Sequence, residues 1–239
     1  MATIKIYNKD SETYQKLIKK FLDKFELYFN ESNVKIDDIR NLFYQNLKSI
    51  KRHDGVVSFK IPLLGHLGGV YNRATKKLEY TEHDEATIIH EMFHALSTKA
   101  TNERYSFIKF FAVIYLGQKQ LSVSEFEEGM TEYLTTCLMG EEYKHVRFNY
   151  SQETTIVNKL AKIYGDEIIL EYYLGFNNNL IDSINKDFPN GFKKVVQLCQ
   201  KASTNGEVPI SFEPTKYYKK MINLYMMIYY LICFQRKIL

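Results

Sequence analysis

His90 and His94 stand four residues apart in the run His90-Glu91-Met92-Phe93-His94, with a carboxylate directly after the first imidazole. On an α-helix, residues four apart share a face and lie about one turn from each other. Two imidazoles placed this way can converge on one ion. Glu91 is rotated to one side, within reach of a water on that ion. The pattern H-E-x-x-H therefore predicts a zinc site with a general base built into the same helix.

Two histidines do not complete such a site. Catalytic zinc takes three protein ligands and keeps a fourth position for water. The best candidate for the third ligand is Glu128, in Glu127-Glu128-Gly129-Met130-Thr131-Glu132-Tyr133. Glu132 lies one turn beyond it on the same face. It is expected to accept the distal N–H of a ligating histidine, which fixes the tautomer. Glu127 is a weaker choice: with Ser124 as N-cap it becomes the N3 residue of a capping box. The glycine after Glu128 favours close approach there. Glu125 remains a more distant option.

These residues need helices packed side by side. Apolar residues at helical spacing predict a helix over residues 10–29, with Asp10 or Ser11 as its cap, and a second over 34–50. Val56, Val57, Phe59 and Ile61 are strand formers, ended by Pro62 and followed by Gly65, Gly68 and Gly69. Val70-Tyr71 and Leu78-Glu79-Tyr80-Thr81 flank a polar turn and read as a β-hairpin. The two-histidine helix follows over about 84–97, with a capping box at Thr81-Glu82-His83-Asp84. Its apolar face holds Ile89, Met92, Phe93 and Leu96, and its polar face Thr87, His90, Glu91 and His94. Residues 105–117 look helical, and Ser124 opens a helix to about Leu138 whose core stripe is Met130, Leu134, Cys137 and Leu138. From Ser151 onward the chain reads as helix and turn, punctuated by Gly165, Gly175, Pro189-Asn190-Gly191 and Asn205-Gly206. The organisation expected is an N-terminal helical segment (1–54), a catalytic core (55–140) and a helical C-terminal lobe (141–239), forming one compact unit.

Composition narrows the class. The chain has 239 residues, 45% hydrophobic and 25% charged, as in globular proteins with a substantial core. A net charge of +4, evenly spread, argues against a nucleic-acid partner. Cys137, Cys199 and Cys233 are widely spaced and form neither a disulfide framework nor a metal knuckle. The first ten residues carry no apolar core of a signal peptide, so a cytoplasmic setting is expected. The apolar stretch Met221–Phe234 is too short to span a bilayer and reads as a buried helix. His53, His66, His83 and His145 read as surface or turn residues. No feature sets an oligomeric state.

His90-Glu91-x-x-His94 followed downstream by Glu128-Gly129-x-Thr131-Glu132 resembles the gluzincin clan of zinc metallopeptidases. The likeness covers roughly residues 55–140; where the clan often reads Asn-Glu, this chain has Glu127-Glu128. The extended metzincin pattern is absent, since residues 96–102 contain no histidine. The resemblance implies an α+β, zincin-like fold, with a small sheet or hairpin packed on the active-site helix and a mostly helical C-terminal lobe. It also implies Zn2+ held by His90, His94 and Glu128, a peptide or protein substrate, and Glu91 as the base that activates water. A Tyr or His of the C-terminal lobe would stabilise the oxyanion; Tyr150, His145, Tyr172 and Tyr173 all qualify. Two other readings stand beside this one: a zinc-binding protein of the same fold without turnover, and a membrane-docking, toxin-like protease that uses residues 221–234.

Overall fold

The computed structural model describes residues 3–54, 59–61, 65–81, 85–97, 124–140 and 151–204. The expected helix over 105–117, the capping box at 81–84, the stretch 221–234 and the candidates His145 and Tyr150 fall wholly or partly outside them. The fold is α+β, mostly helical, with a small mixed sheet.

Strand β1 (Thr3–Asn8) leads into α1 (Glu12–Tyr28) and α2 (Ile36–Asn46). Ser11 caps α1: its hydroxyl oxygen accepts from the Tyr14 backbone N–H at 3.2 Å. The expected stripe is buried, with Ile18, Phe21, Leu22, Phe25 and Phe29 all in the core.

The helix expected over 34–50 is cut short. It stops at Asn46, and Ser49–Asp54 form strand β2. The cause is non-local. Lys48 N–H bonds to the Lys76 carbonyl at 2.8 Å, and β2 is flanked on both sides. It pairs antiparallel with β1, and parallel with β6 (Lys77–Thr81). Two ladders outweigh the local helical pattern. Residues 1–54 thus supply two strands to the same sheet as residues 69–81, and that segment is not helical throughout.

The hairpin forms where the sequence places it. Strand β5 (Gly69–Asn72) pairs antiparallel with β6, giving the order β1-β2-β6-β5 with β5 at one edge. The turn is closed by the Asn72 side chain, which accepts from Thr75 N–H at 3.0 Å, and by Lys76 at φ 57°. Strands β3 (Phe59–Ile61) and β4 (Gly65–Leu67) make a separate two-stranded ladder.

Helix α3 (Glu85–Leu96) lies at the centre. It packs on β5 and β6, on α2, and on α4 (Ser124–Met139). Helix α4 packs in turn against α5 (Ser151–Tyr164), α6 (Asp166–Tyr173) and α8 (Gly191–Thr204), while α7 (Asn179–Asp187) joins α6 to α8. Gly129 lets α4 and α5 meet: a Cβ there would sit 2.8 Å from Glu153 Cβ and 2.9 Å from its carbonyl carbon. The closeness expected of this glycine is therefore to α5.

One ring ties the halves together. Phe93, fully buried on the back of α3, meets Phe21 of α1 edge-on at 5.1 Å and Tyr173 of α6 at 6.1 Å. Edge-to-face pairs add to the burial of large apolar area. Among the described residues, no helix is long and apolar enough to cross a membrane. Replacing Phe93 by Ala should destabilise the protein by about 3–5 kcal/mol, as for other buried aromatic truncations. Chemical denaturation checks this; a loss under about 1 kcal/mol would contradict the central place given to this ring.

Candidate metal centre

Helix α3 is buried nearly all round. Thr87, His90, Glu91 and His94, the face expected to be polar, are each less than 10% exposed. Polar side chains in such a place need partners. The two histidines find them across the α3–α4 contact.

His90 Nε2 and His94 Nε2 lie 3.2 Å apart. Glu128 Oε2 is 3.3 Å from the first and 3.2 Å from the second. The three donor atoms form a nearly equilateral triangle. Among the described residues this is the one group of three or more such side chains able to hold a metal ion. A tetrahedral ion with bonds of about 2.0–2.1 Å sets its ligands about 3.3 Å apart, so the spacing fits the group. The donor chemistry, two imidazole nitrogens and one carboxylate oxygen, fits as well.

Glu132, one turn beyond Glu128, approaches from behind. Its Oε2 is 3.0 Å from His90 Nδ1. A proton on Nδ1 donated to this carboxylate leaves the Nε2 lone pair aimed at the triangle. The four residues that the sequence nominated as ligands or as their support are thus brought together. Glu127 and Glu125 do not join them. Glu127 turns to Arg73 in the β5–β6 turn and to Ser97, where the sequence suggested a helix cap. Its true partner lies 54 positions away, out of reach of any local pattern.

Glu91 lies on the sheet side of α3, against the start of β5. A Cβ on Gly69 would overlap Thr87 Cγ2 and sit 3.0 Å from Glu91 Cγ and 3.4 Å from Glu91 Oε1. The absence of a side chain at Gly69 is what allows the edge strand so near this carboxylate. Of the four oxyanion candidates, Tyr173 is engaged elsewhere: its hydroxyl meets that of Thr131 at 2.8 Å. Tyr172 packs edge-on against Phe192 at 5.8 Å, and burial pushes its phenol up to about 12. His53, read as a surface residue, pairs with Glu79 on the sheet at 2.8 Å.

The charges of the group are strongly coupled. Burial works against a charged His90, but hydrogen bonds to Glu128 and Glu132 outweigh it and hold the imidazolium up to about 9. Burial is the largest single influence on His94 and pushes it down, but the charge and hydrogen bond of Glu128, with the Glu91 charge, together raise it above the ordinary value. Burial favours a neutral Glu128, yet the two imidazoles hold its carboxyl far below the usual range. Without a metal, a proton has to sit among these atoms, because three facing lone pairs repel.

No protein-family model matches the chain, and neither a curated protein nor a solved structure matches it. The fold and the site define an α+β protein with a His–His–Glu group able to hold a metal ion.

Three outcomes are expected. With His90 held up to about 9, metal binding at pH 7 must expel on the order of one proton. Calorimetric titration in two buffers of different ionisation heat measures it; equal heats would refute the coupling. In the metal-free protein the same pairing favours the folded state fully below about pH 6.5 and is lost as pH rises through about 9. Gly69→Ala should push β5 off α3, destabilising the fold by about 1–3 kcal/mol. Its metal affinity should stay near that of the wild type, since the methyl meets Glu91 and Thr87, not the ligands. Unfolding and metal titration of the same variant check both parts.

Proposed function

We propose that the protein is a zinc-dependent peptidase of gluzincin type and zincin-like fold. His90, His94 and Glu128 are its ligands, Glu91 its general base and Glu132 the partner of His90. The observation that carries the reading is the triangle of donors, 3.2–3.3 Å on each side, with the sequence neighbour of one donor a buried carboxylate. Other first-row ions accept the same donor set. The glutamate directly after the first histidine favours hydrolysis by zinc.

Zinc, when bound, supplies a Lewis acid that brings the pKa of a water to about 7 and polarises a carbonyl. The chain's own residues do the rest. Glu91 takes the proton of the attacking water on its carboxylate and returns it to the leaving amine nitrogen. Glu132 holds the proton on Nδ1 of His90, which keeps Nε2 available as a ligand. Strand β5, at the sheet edge and against Glu91, offers backbone groups to an extended peptide, which would add to the sheet as a further strand. The small sheet beside the active-site helix, with helices beyond it, supports the zincin-like reading.

The test is peptide hydrolysis by the zinc-loaded wild type and by Glu91→Gln, with metal content measured on both. Loss of a positioned general base lowers turnover by about 10²–10⁴-fold. That loss with zinc retained is the expected result. A wild type that binds zinc yet cleaves nothing in a broad peptide library would instead mark a zinc-binding protein without turnover. Glu128→Ala and His94→Ala should each lose the metal itself.

A further inference from the structure

Beside the metal group lies a set of side chains that the proposed chemistry does not use. Arg73, in the β5–β6 turn, bonds through Nη2 to Glu127 Oε1. Ser97 Oγ is 3.0 Å from the same oxygen and 3.1 Å from the carbonyl of His94. Its single proton is shared between the two acceptors. Arg73 Nη2 also comes within 3.5 Å of Ser97 Oγ. One turn along α4, Thr131 donates to the Glu127 carbonyl at 2.8 Å and meets the buried Tyr173 hydroxyl.

Glu127 precedes Glu128 and is turned about 100° from it around α4, so it cannot share the same ion. What it joins is the frame: the hairpin turn on one side and the backbone of a ligand histidine on the other. The charge balance gives this frame a task. Glu127, Glu128 and Glu132 crowd the α3–α4 contact, and each is buried or half-buried. The imidazoles offset Glu128 and Glu132. Glu127 has no imidazole contact, and it is the guanidinium that neutralises it. Unpaired, a carboxylate there would press the helices apart. Both contacts run through Nη2, so one nitrogen of the permanently charged guanidinium serves the carboxylate and the serine together.

We propose that Arg73 and Glu127 are a positioning pair that fixes the separation of α3 and α4, and so seats Glu128 Oε2 at 3.2–3.3 Å from both imidazoles. This rests on the reading of His90, His94 and Glu128 as a metal site.

The test uses the full chain, stripped of metal, as wild type, R73Q, R73K, E127Q and R73Q/E127Q. Zn2+ is titrated against a competing chelator, and thermal unfolding of the metal-free forms reports folding. R73Q and E127Q should each weaken zinc binding about 10-fold or more while unfolding stays cooperative. The double variant should lose no more than either single, because both remove one interaction. R73K should fall between the wild type and R73Q, keeping the charge on a shorter and more flexible side chain. If R73Q does not fold, S97A cuts the link from Glu127 to the His94 carbonyl and should still weaken zinc several-fold. Wild-type affinity in the variants that fold, or a double whose loss is the product of the two singles, overturns the pair alone. A wild type that binds no zinc overturns the metal site and the pair together. Peptidase activity enters neither readout.

Discussion

Everything in this molecule is arranged around three lone pairs held to one point inside a helix–helix contact. Nε2 of His90, Nε2 of His94 and Oε2 of Glu128 stand 3.2–3.3 Å apart, and a positive charge must lie among them. Such an arrangement is unfavourable to bury unless the elements that present it are rigid. Helix α3 gains that rigidity from its apolar back, where Phe93 is wedged between rings of α1 and α6. Helix α4 gains it from Gly129, which permits backbone-close packing on α5. The polar face is thus held by apolar packing on the opposite sides of the same two helices.

The sheet is small, and its use is positional. Its inner face, with Ile50, Leu78, Tyr71 and Tyr80 buried, packs toward the helices. Its order places β5 at the rim beside α3. A glycine at the one point of contact brings main chain within van der Waals reach of Glu91. The edge strand, Glu91 and the His–His–Glu group therefore share one corner of the fold, and Arg73 in the adjoining turn reaches across to α4.

What could be read from the sequence was what repeats at helical spacing. His90 with His94, and Glu128 with Glu132, are four-residue intervals, and the structure brings all four into one cluster. The hairpin was legible from two apolar runs around a polar turn. Strands β1 and β2 were not. The run ending at Ile50 fits a helix locally, and only pairing with residues near 4 and 78 decides otherwise. Arg73–Glu127 was hidden for the same reason: a contact across 54 positions leaves no local trace. The role assigned to Gly129 was misread, since close approach is visible in a sequence but its partner is not.

The parallel seam between β2 and β6 has a kinetic corollary. Parallel neighbours cannot be closed by a tight turn, so Ser49–Asp54 must wait for Lys77–Thr81 to be synthesised before the sheet gains its third strand. Until then the one sheet partner available to β2 is β1, and a two-stranded ribbon is a unit of marginal stability in water. Glu128 leaves the ribosome later still, after both histidines. The complete His–His–Glu group therefore exists only after all four strands of the sheet have been synthesised.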